Sequence, residues 1–383
     1  MADEQTTVLE QAWVSDTITS VRAVPISIPL ETPLRFSTRE VHARQYLLVF
    51  VETSGGLSGV GYTYIGTAGA RAAAALLEEV LAPRLVGQPA YGPERTWPAL
   101  FQETLLLGRR GLVMRAMSAI DIALWDLLGK AAGLPLYVLL GGVRDEVPAY
   151  GSGGYYRPGD PLENVRHGLA QYIAQGFSDF KIKVGGAPFE VDVARVRVAR
   201  ETIGPVGRLA LDANNVWHTP AEAIRFIRVV EPYDIWWVEE PLPPDDIPGH
   251  AEVARTVDVP IATGEIHATR WEFRDNILAK AADILQPDAG VVGGITEWMK
   301  ITHAAQTFGL LVAPHWNADI HVHLAGAAGD VLTVEYFALE QDVFNFERIL
   351  GERLKPAGGL IKIPQRPGLG LMLDDVEIER FRL

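Results

Sequence analysis

The chain has 383 residues, of which 48% are hydrophobic and 21% charged, so it can bury a large core and is not a disordered chain. Its 34 Lys and Arg against 48 Asp and Glu give a formal net charge of −14, which disfavours phosphate backbones and anionic lipids as partners. The absence of cysteine excludes disulfides, thiolate metal sites and cysteine nucleophiles. With no basic, apolar leader and no apolar run of about 18 residues, we expect a cytoplasmic protein that binds neither nucleic acid nor membranes.

The first part of the chain predicts a tail followed by an α+β domain. Residues 1–19 lack periodicity and predict a loose tail, whereas residues 20–145 combine strands with a later helical region. Four apolar residues between Met117 and Leu128 stand at helical spacing and predict one buried helix face. Three apolar or alternating runs with Gly and Pro between them predict an antiparallel meander: Val21–Ile28, Gln45–Thr53 and Val60–Tyr64.

From about Glu146 the pattern changes to strict alternation of strands and helices, which predicts a (β/α) barrel over residues 146–355. The connection 316–331 is rich in Ala and Gly and is less clearly helical than the others. Residues 356–383 are too short for a core of their own, so we expect them to pack on another unit. The eight predicted strands are Val147–Ser152, Asp179–Val184, Arg208–Asn214, Ile235–Pro241, Pro260–Glu265, Asp283–Asp288, Leu310–His315 and Thr333–Tyr336.

Two lysines lie at the end of the second predicted barrel strand, where enzymes of this fold place their catalytic groups. Lys181 and Lys183 are two residues apart, so both ammonium groups point to the same side of the strand. Neighbouring cations lower each other's pKa and burial lowers it further, which would make a lysine a general base near neutral pH. A solvated edge strand is the alternative, and the apolar Phe180, Ile182 and Val184 disfavour it.

Three acidic residues end three successive predicted strands. Asp212, Glu239 and Glu265 follow one another at intervals of 27 and 26 residues, about one strand–helix unit each. Carboxylates gathered at adjacent strand ends repel one another unless a cation lies between them. Ligation by oxygen alone suits Mg²⁺, with Mn²⁺ as the alternative. Glu240 is expected to face away from Glu239, since successive strand residues point to opposite sides.

A second acid/base is predicted from Asp288 and His315, which lie 27 residues apart on consecutive strands. A carboxylate that accepts a hydrogen bond from one imidazole nitrogen orients the ring and raises its basicity. His321 and His323 have a spacing typical of metal ligands, but they fall beyond the strand end, and we interpret them as structural residues.

In this order, the motifs resemble the mandelate racemase subgroup of the enolase superfamily. The stretch from Ala116 to Gly142 is similar to the cap-domain signature of that family. The resemblance implies a (β/α)₇β barrel with an α+β capping domain, to which residues 356–383 return. It also implies one Mg²⁺ held by the three carboxylates. The motifs that carry it are Lys181-x-Lys183, Asp212-Ala213-Asn214, Glu239-Glu240-Pro241, Gly264-Glu265, Pro287-Asp288, Pro314-His315 and Glu335.

The resemblance also implies roles for individual residues. The shared step is abstraction of the proton α to a substrate carboxylate, through an enediolate that the metal stabilises. Lys183 and the His315–Asp288 dyad would be the opposed acid/bases. Lys181 and a protonated Glu335 would contact the substrate carboxylate. Further substrate contacts are expected from two polar side chains at strand ends, Asn214 and Ser152.

Within the subgroup, the motifs around His315 and Glu335 most resemble the galactarate/L-talarate dehydratase type. This predicts dehydration of an acid sugar, an aldonate or an aldarate, to a 2-keto-3-deoxy acid, by a homo-oligomer for which the family suggests an octamer. A racemase, epimerase or cycloisomerase of a carboxylate substrate is the alternative. A Schiff-base aldolase that uses Lys183 is disfavoured by the carboxylate cluster, and an inactive metal-binding scaffold by the presence of both bases.

The cap departs from that type in one respect. The second cap loop, Gly61–Ala70, contains no basic residue, so a distal substrate carboxylate would need a cation from the first cap loop. We predict that Arg35 is this cation. If no arginine reaches the pocket, a monoacid with Tyr62 or Tyr64 near its tail is favoured. The first loop offers three arginines: Arg35, Arg39 and Arg44.

Overall fold

The computed structural model describes residues 16–383, so most of the predicted tail lies outside the described residues. The described part opens with an antiparallel sheet of three strands in the order β1–β2–β3. The sheet begins at Ile18, and Thr17 bridges to Pro89, so residues 16–19 already belong to the cap. The strands are β1 (Ile18–Phe36), β2 (Arg39–Thr53) and β3 (Ser58–Gly66).

The cap sheet packs against the helix Leu112–Ala132, whose buried face contains the predicted apolar residues Met117, Ile120 and Leu124. Two glycines of β3 permit this close approach. A Cβ on Gly59 would lie 2.2 Å from the carbonyl oxygen of Ala123, and one on Gly61 would lie 2.1 Å from that of Ala119. The other cap helices are Ala70–Leu76, the π-helical turn Leu77–Leu81, Ala82–Leu85, Pro93–Thr104 and Leu136–Leu139.

The second unit is a barrel of eight parallel strands among the residues that the structure describes, in chain order around the ring. The last strand pairs with the first, and a parallel bridge between Val312 and Val331 closes the circle. The strands are β4 (Glu146–Gly153), β5 (Asp179–Lys183), β6 (Arg208–Asp212), β7 (Ile235–Glu239), β8 (Ile261–Thr263), β9 (Ile284–Leu285), β10 (Leu311–Val312) and β11 (Val334–Tyr336).

In the described chain, a helix follows each of the first seven barrel strands, and short 3₁₀ turns follow the eighth, which confirms the predicted (β/α)₇β order. The last of these helices, Ala318–Ala327, occupies the connection that looked less clearly helical in sequence. Nearly all its residues are buried, so it lacks the polar face that makes a helix recognisable. The barrel helices are Pro161–Ala174, Phe189–Ile203, Pro220–Val230, Ile247–Ala254, Thr269–Ala279, Ile295–Thr307 and Ala318–Ala327, with 3₁₀ turns at Glu231–Tyr233, Leu339–Gln341 and Asn345–Ile349.

The C-terminal segment runs from the barrel back to the cap. Strand β12 (Leu360–Lys362) pairs antiparallel with the start of β4, and the chain ends in the helix Asp375–Phe381. Backbone hydrogen bonds join Gly368 to Leu134 at 2.9 Å and the amide of Leu383 to the carbonyl of Pro25 at 3.0 Å. Among residues 16–383, we find no helix long and apolar enough to cross a membrane.

The cap lies over the carboxyl ends of the barrel strands. The Thr63 hydroxyl of β3 donates to the carbonyl oxygen of Gly290, which follows β9, at 2.7 Å. From β2, Arg44 Nε donates to the carbonyl oxygen of Val343, beyond β11, at 2.6 Å. The antiparallel sheet therefore covers the edge of the barrel at which the parallel strands present their functional groups.

Candidate active site

The three predicted metal ligands converge at adjacent strand ends. One carboxylate oxygen each from Asp212, Glu239 and Glu265 lies within 4.8 Å of the other two. Asp212 and Glu239 are fully buried, and burial raises the pKa of Glu265 well above its usual range, an effect that the neighbouring Glu240 carboxylate increases. Glu265 Oε2 is buried and has no hydrogen-bond partner within residues 16–383. Three oxygen ligands within this distance, one of them without a hydrogen bond, fit a hard divalent cation such as Mg²⁺.

Glu240 also belongs to this group of carboxylates, although strand alternation predicts that it faces away. Its φ of 47° turns the chain at the end of β7, so its side chain lines the same cavity as Glu265. Glu240 is fully buried, and in the described structure neither carboxylate oxygen has a hydrogen-bond partner. Burial raises its pKa to about 8, and Asp212 contributes. The alternation rule fails here because it applies only while the backbone remains extended.

Both lysines point into the barrel as predicted, but their ammonium groups form ion pairs with carboxylates. Lys181 Nζ lies 2.7 Å from Glu239 Oε1 and 2.8 Å from Glu335 Oε1. Lys183 Nζ donates to Asp212 Oδ2. Burial by itself lowers the pKa of Lys183, but the surrounding acidic groups, Asp212 above all, together outweigh burial and hold the pKa above its ordinary value. The predicted lowering of the pKa is therefore not found for Lys183, because the charge of Asp212 raises that pKa more than the charge of Lys181 lowers it.

The predicted histidine dyad is formed. His315 Nδ1 lies 3.1 Å from Asp288 Oδ2, and His315 Nε2 lies 3.4 Å from Glu265 Oε2. Burial lowers the pKa of His315, but Glu265 and the hydrogen bond to Asp288 outweigh it and raise the pKa to about 9. The other oxygen of Asp288 accepts from Gly290 N at 2.7 Å and from Asn317 Nδ2 at 2.8 Å. Asp288 is therefore held at both oxygens, and it directs the Nε2 side of the imidazole toward the metal ligands.

Glu335 lies beside Lys181, as predicted. Burial raises its pKa, but Lys181, His315 and Lys183 together outweigh burial and lower the pKa to about 2. Its Oε2 accepts from the amide of Trp316 at 2.8 Å. The resemblance implies a protonated Glu335, and this form of the residue stays a prediction.

The two polar residues predicted as further substrate contacts differ in their placement. Asn214 lines the cavity and lies against Asp212, whose Oδ1 accepts its backbone amide at 2.9 Å. Ser152 is fully buried beside Lys181 in the β4–β5 pairing, and its hydroxyl has no hydrogen-bond partner in the part of the chain that the structure describes. Ser152 does not line the cavity.

The cavity between cap and barrel measures about 160 Å³. Tyr64 lines it, whereas the hydroxyl of Tyr62 is directed to Asp319 Oδ1 at 2.6 Å and is fully buried. Arg35 is exposed and outside the cavity lining; its Nη2 donates to the carbonyl oxygen of Gly186 at 2.7 Å, and its guanidinium lies over the Tyr156 ring. Among the described residues, Tyr64 therefore lines the cavity together with Lys183 and His315, whereas Arg35 does not.

Two histidines interpreted as structural have that role in the structure. His321 and His323 lie on the buried helix Ala318–Ala327, away from the carboxylate cluster. His321 Nε2 accepts from the amide of Ala289 at 3.0 Å, and His323 Nε2 donates to the carbonyl oxygen of Leu369 at 3.0 Å. Burial lowers the pKa of each to about 4, so both rings are neutral.

Sequence reasoning missed several residues of this site. Trp316 and Arg115 line the cavity, and Asn317 holds Asp288. Trp316 and Asn317 directly follow His315 in the sequence, and this adjacency to a predicted base indicates that they lie near the site. Arg115 lies on a cap helix, and nothing local in the sequence indicates that it reaches the barrel.

Two family models match most of the chain. Residues 18–141 match the mandelate racemase / muconate lactonizing enzyme N-terminal domain, and residues 164–377 match the enolase C-terminal domain-like model.

Curated relatives and solved structures agree with the family models. Arabinonate dehydratase of Saccharolobus solfataricus is 35% identical over 346 residues, 89% of this chain and 91% of the relative. L-talarate/galactarate dehydratase of Salmonella typhimurium is 34% identical over 359 residues, 93% of this chain and 88% of the relative. A Streptomyces coelicolor racemase crystallised with bound magnesium superposes with a TM-score of 0.90 at 32% identity, covering 96% of this chain and all of that one. The chain therefore belongs to the mandelate racemase/muconate lactonizing enzyme family of the enolase superfamily.

Proposed function

We propose that this enzyme uses Mg²⁺ to remove the proton α to the carboxylate of an acid sugar and to eliminate water, forming a 2-keto-3-deoxy acid. The observation that carries the proposal is the presence of Lys183, His315 and Glu265 around one cavity. When bound by the three carboxylates, Mg²⁺ supplies positive charge that makes a proton α to a carboxylate more acidic. The dehydratase names of several relatives support the elimination.

Lys183 and His315 are the proposed proton-transfer groups. They extend from β5 and from the end of β10, and β4 and β11 lie between these two strands on the shorter way around the ring. Because Asp288 occupies Nδ1 of His315, Nε2 is the atom that can take or deliver a proton in the cavity. Two bases on different sides of a substrate carbon each remove a proton from one α-configuration only. One group then takes the α-proton, and the other delivers a proton to the departing hydroxyl or to the product.

Lys181 is proposed to hold the substrate carboxylate by its positive charge, and Glu335 by donating a hydrogen bond in its protonated form, which an approaching substrate carboxylate favours because it raises the pKa of Glu335. The ammonium group of Lys181 is 1% exposed, and it is fixed between Glu239 and Glu335 by contacts of 2.7 and 2.8 Å. A fixed, dehydrated donor needs no reorientation as charge develops on the carboxylate oxygens, which is the main requirement for electrostatic stabilisation. Asn214 and Ser152 remain proposed substrate contacts.

The experiment is a screen of aldonates and aldarates with Mg²⁺, with 2-keto acid detected as its semicarbazone. We expect at least one acid sugar to give keto acid with saturable kinetics. Inversion of the α-carbon without keto acid would instead indicate a racemase or epimerase. With a cyclic acid sugar such as an anhydro-aldonate, isomerisation by ring opening without loss of water would indicate a cycloisomerase, the activity named for a Streptomyces coelicolor relative that is 34% identical over 365 residues. Each of these outcomes would refute the dehydratase proposal but retain the α-proton step.

We further propose that the enzyme is a homo-oligomer, as the resemblance implies. Size-exclusion chromatography with light scattering at micromolar concentration gives the mass directly, to be compared with 41.9 kDa for one chain. A mass of one chain at all concentrations would refute the proposal.

A further inference from the structure

Arg44 is a buried cation for which the described chain provides no carboxylate. Its side chain is 2% exposed; Nε donates to the carbonyl oxygen of Val343 at 2.6 Å and Nη1 to the Tyr64 hydroxyl at 2.9 Å. Both acceptors are neutral, and no ion pair of Arg44 occurs within residues 16–383. A guanidinium group does not deprotonate in proteins, so burial cannot remove its charge. A buried charge of this kind normally has a counter-ion.

A second guanidinium group lines the same cavity. Arg115 is half-buried, and its Nη1 donates to the backbone carbonyl oxygen of Tyr64. In the described structure it has no ion pair either; Asp288 and Glu265 act on it only from beyond ion-pair distance. Burial lowers the pKa of Arg115, as expected for a cation that loses water without gaining a close anion. The two arginines therefore give this part of the cavity excess positive charge.

Trp316 adds a neutral donor to the two cations. The residue is 3% exposed, lines the cavity, and its indole Nε1 has no acceptor among the residues that the structure describes. The Arg44 guanidinium lies 4.5 Å from the centre of the indole ring, and the His315 ring stacks on the same indole at 5.6 Å. The indole ring of Trp316 therefore contacts both the Arg44 guanidinium and the imidazole of His315, a proposed proton-transfer group.

We propose that Arg44, Arg115 and Trp316 form a subsite for a second carboxylate of the substrate, so that this enzyme acts on aldarates rather than aldonates. The inference rests on the proposed function, because it assigns the far end of the same acid sugar. A distal carboxylate would supply the missing counter-ion and accept from the indole, whereas the hydroxymethyl end of an aldonate would leave both cations unpaired. The cavity of about 160 Å³ favours a compact diacid over a longer ligand.

The test compares acid sugars that share their configuration and differ only at the far carbon. Each pair consists of an aldonate and the matching aldarate, and the readout is the ratio of their kcat/KM values for keto-acid formation. We expect the ratio to favour the aldarate by on the order of 10²-fold, as for loss of one partner of a buried charge pair. Arg44→Gln should lower this ratio by a similar factor, mainly through KM of the aldarate, and Arg44→Lys should lower it less.

Arg22→Gln is the matched control. Arg22 is also a cap arginine that stacks on an aromatic ring, at 4.3 Å from the centre of Phe50, but it is exposed and outside the cavity. Its removal should leave the ratio unchanged. Thermal unfolding of each variant separates loss of binding from loss of folding. Should Arg44→Gln fail to fold, Arg115→Gln makes the same test at a half-buried position.

The outcomes separate this inference from the proposed function. A wild-type ratio near one, or a ratio unaffected by Arg44→Gln and Arg115→Gln, would overturn the subsite and leave the dehydratase intact. A ratio that falls in Arg35→Met but not in Arg44→Gln would also overturn the subsite and would indicate that Arg35 binds the distal carboxylate. Failure of every aldonate and aldarate to give keto acid would instead refute the proposed function.

Discussion

Asn317 offers a sharp test of how the second base is held. Its side-chain amide donates to Asp288 Oδ1 at 2.8 Å, while Asp288 Oδ2 faces His315 Nδ1 at 3.1 Å. Asn317→Leu keeps the side-chain size but removes one of the two donors to that oxygen, the other being the amide of Gly290. A hydrogen bond to a charged group contributes about 1.5–3 kcal/mol, so steps that need an oriented His315 should slow by roughly 10- to 100-fold. Asn317 acts through Asp288 and is therefore a positioning residue.

The assay is exchange of the α-proton for deuterium in D₂O, followed by NMR on substrates of both α-configurations. If Lys183 and His315 each serve one configuration, as proposed, Asn317→Leu should slow exchange from the configuration that His315 serves and spare the other. Asn276→Leu is the control, because Asn276 is a buried amide that donates to the carbonyl oxygen of Glu272 at 3.0 Å on a barrel helix. It should reduce stability without altering either exchange rate. Equal slowing of both configurations, or of neither, would refute a positioning role for Asn317.

Three other predictions follow from the structure. Exhaustive chelation should abolish keto-acid formation and added Mg²⁺ should restore it; full activity with no metal detected would contradict the carboxylate site. Lys183→Ala and His315→Asn should each block keto-acid formation while one of them still incorporates deuterium at the α-carbon, and dehydration by both at the wild-type rate would exclude both as the base. Burial lowers the pKa of His323 to about 4 from an ordinary value of 6.5. Between pH 4 and pH 6.5 the unfolded chain therefore binds more protons than the folded chain. The free energy of unfolding in urea should therefore fall as pH drops from 6.5 towards 4, and His323→Gln should reduce that slope; an identical slope would contradict the assignment.

The sequence by itself determined the barrel and the order in which its candidate catalytic groups follow one another. Strand periodicity and the regular length of each strand–helix unit are local properties, and parallel strands must present their carboxyl ends at one edge. The separations of Asp212, Glu239 and Glu265 therefore predicted a carboxylate cluster, and one oxygen from each lies within 4.8 Å of the others. The pairing of Asp288 with His315 followed from the same rule.

Only the tertiary structure decided how the site is completed. Arg44 contacts Val343 and Trp316, about 270 to 300 positions away in the chain, and no local pattern selects it over Arg35. Glu240 enters the cavity because its φ is 47°, a backbone conformation that alternation cannot anticipate. The pKa of Lys183 is raised rather than lowered because Lys183 donates to Asp212, whose charge has a larger effect on that pKa than the charge of Lys181. Long-range contacts, single backbone angles and distances between charges arise from the packing of the cap on the barrel, and periodicity in the sequence contains no information about them.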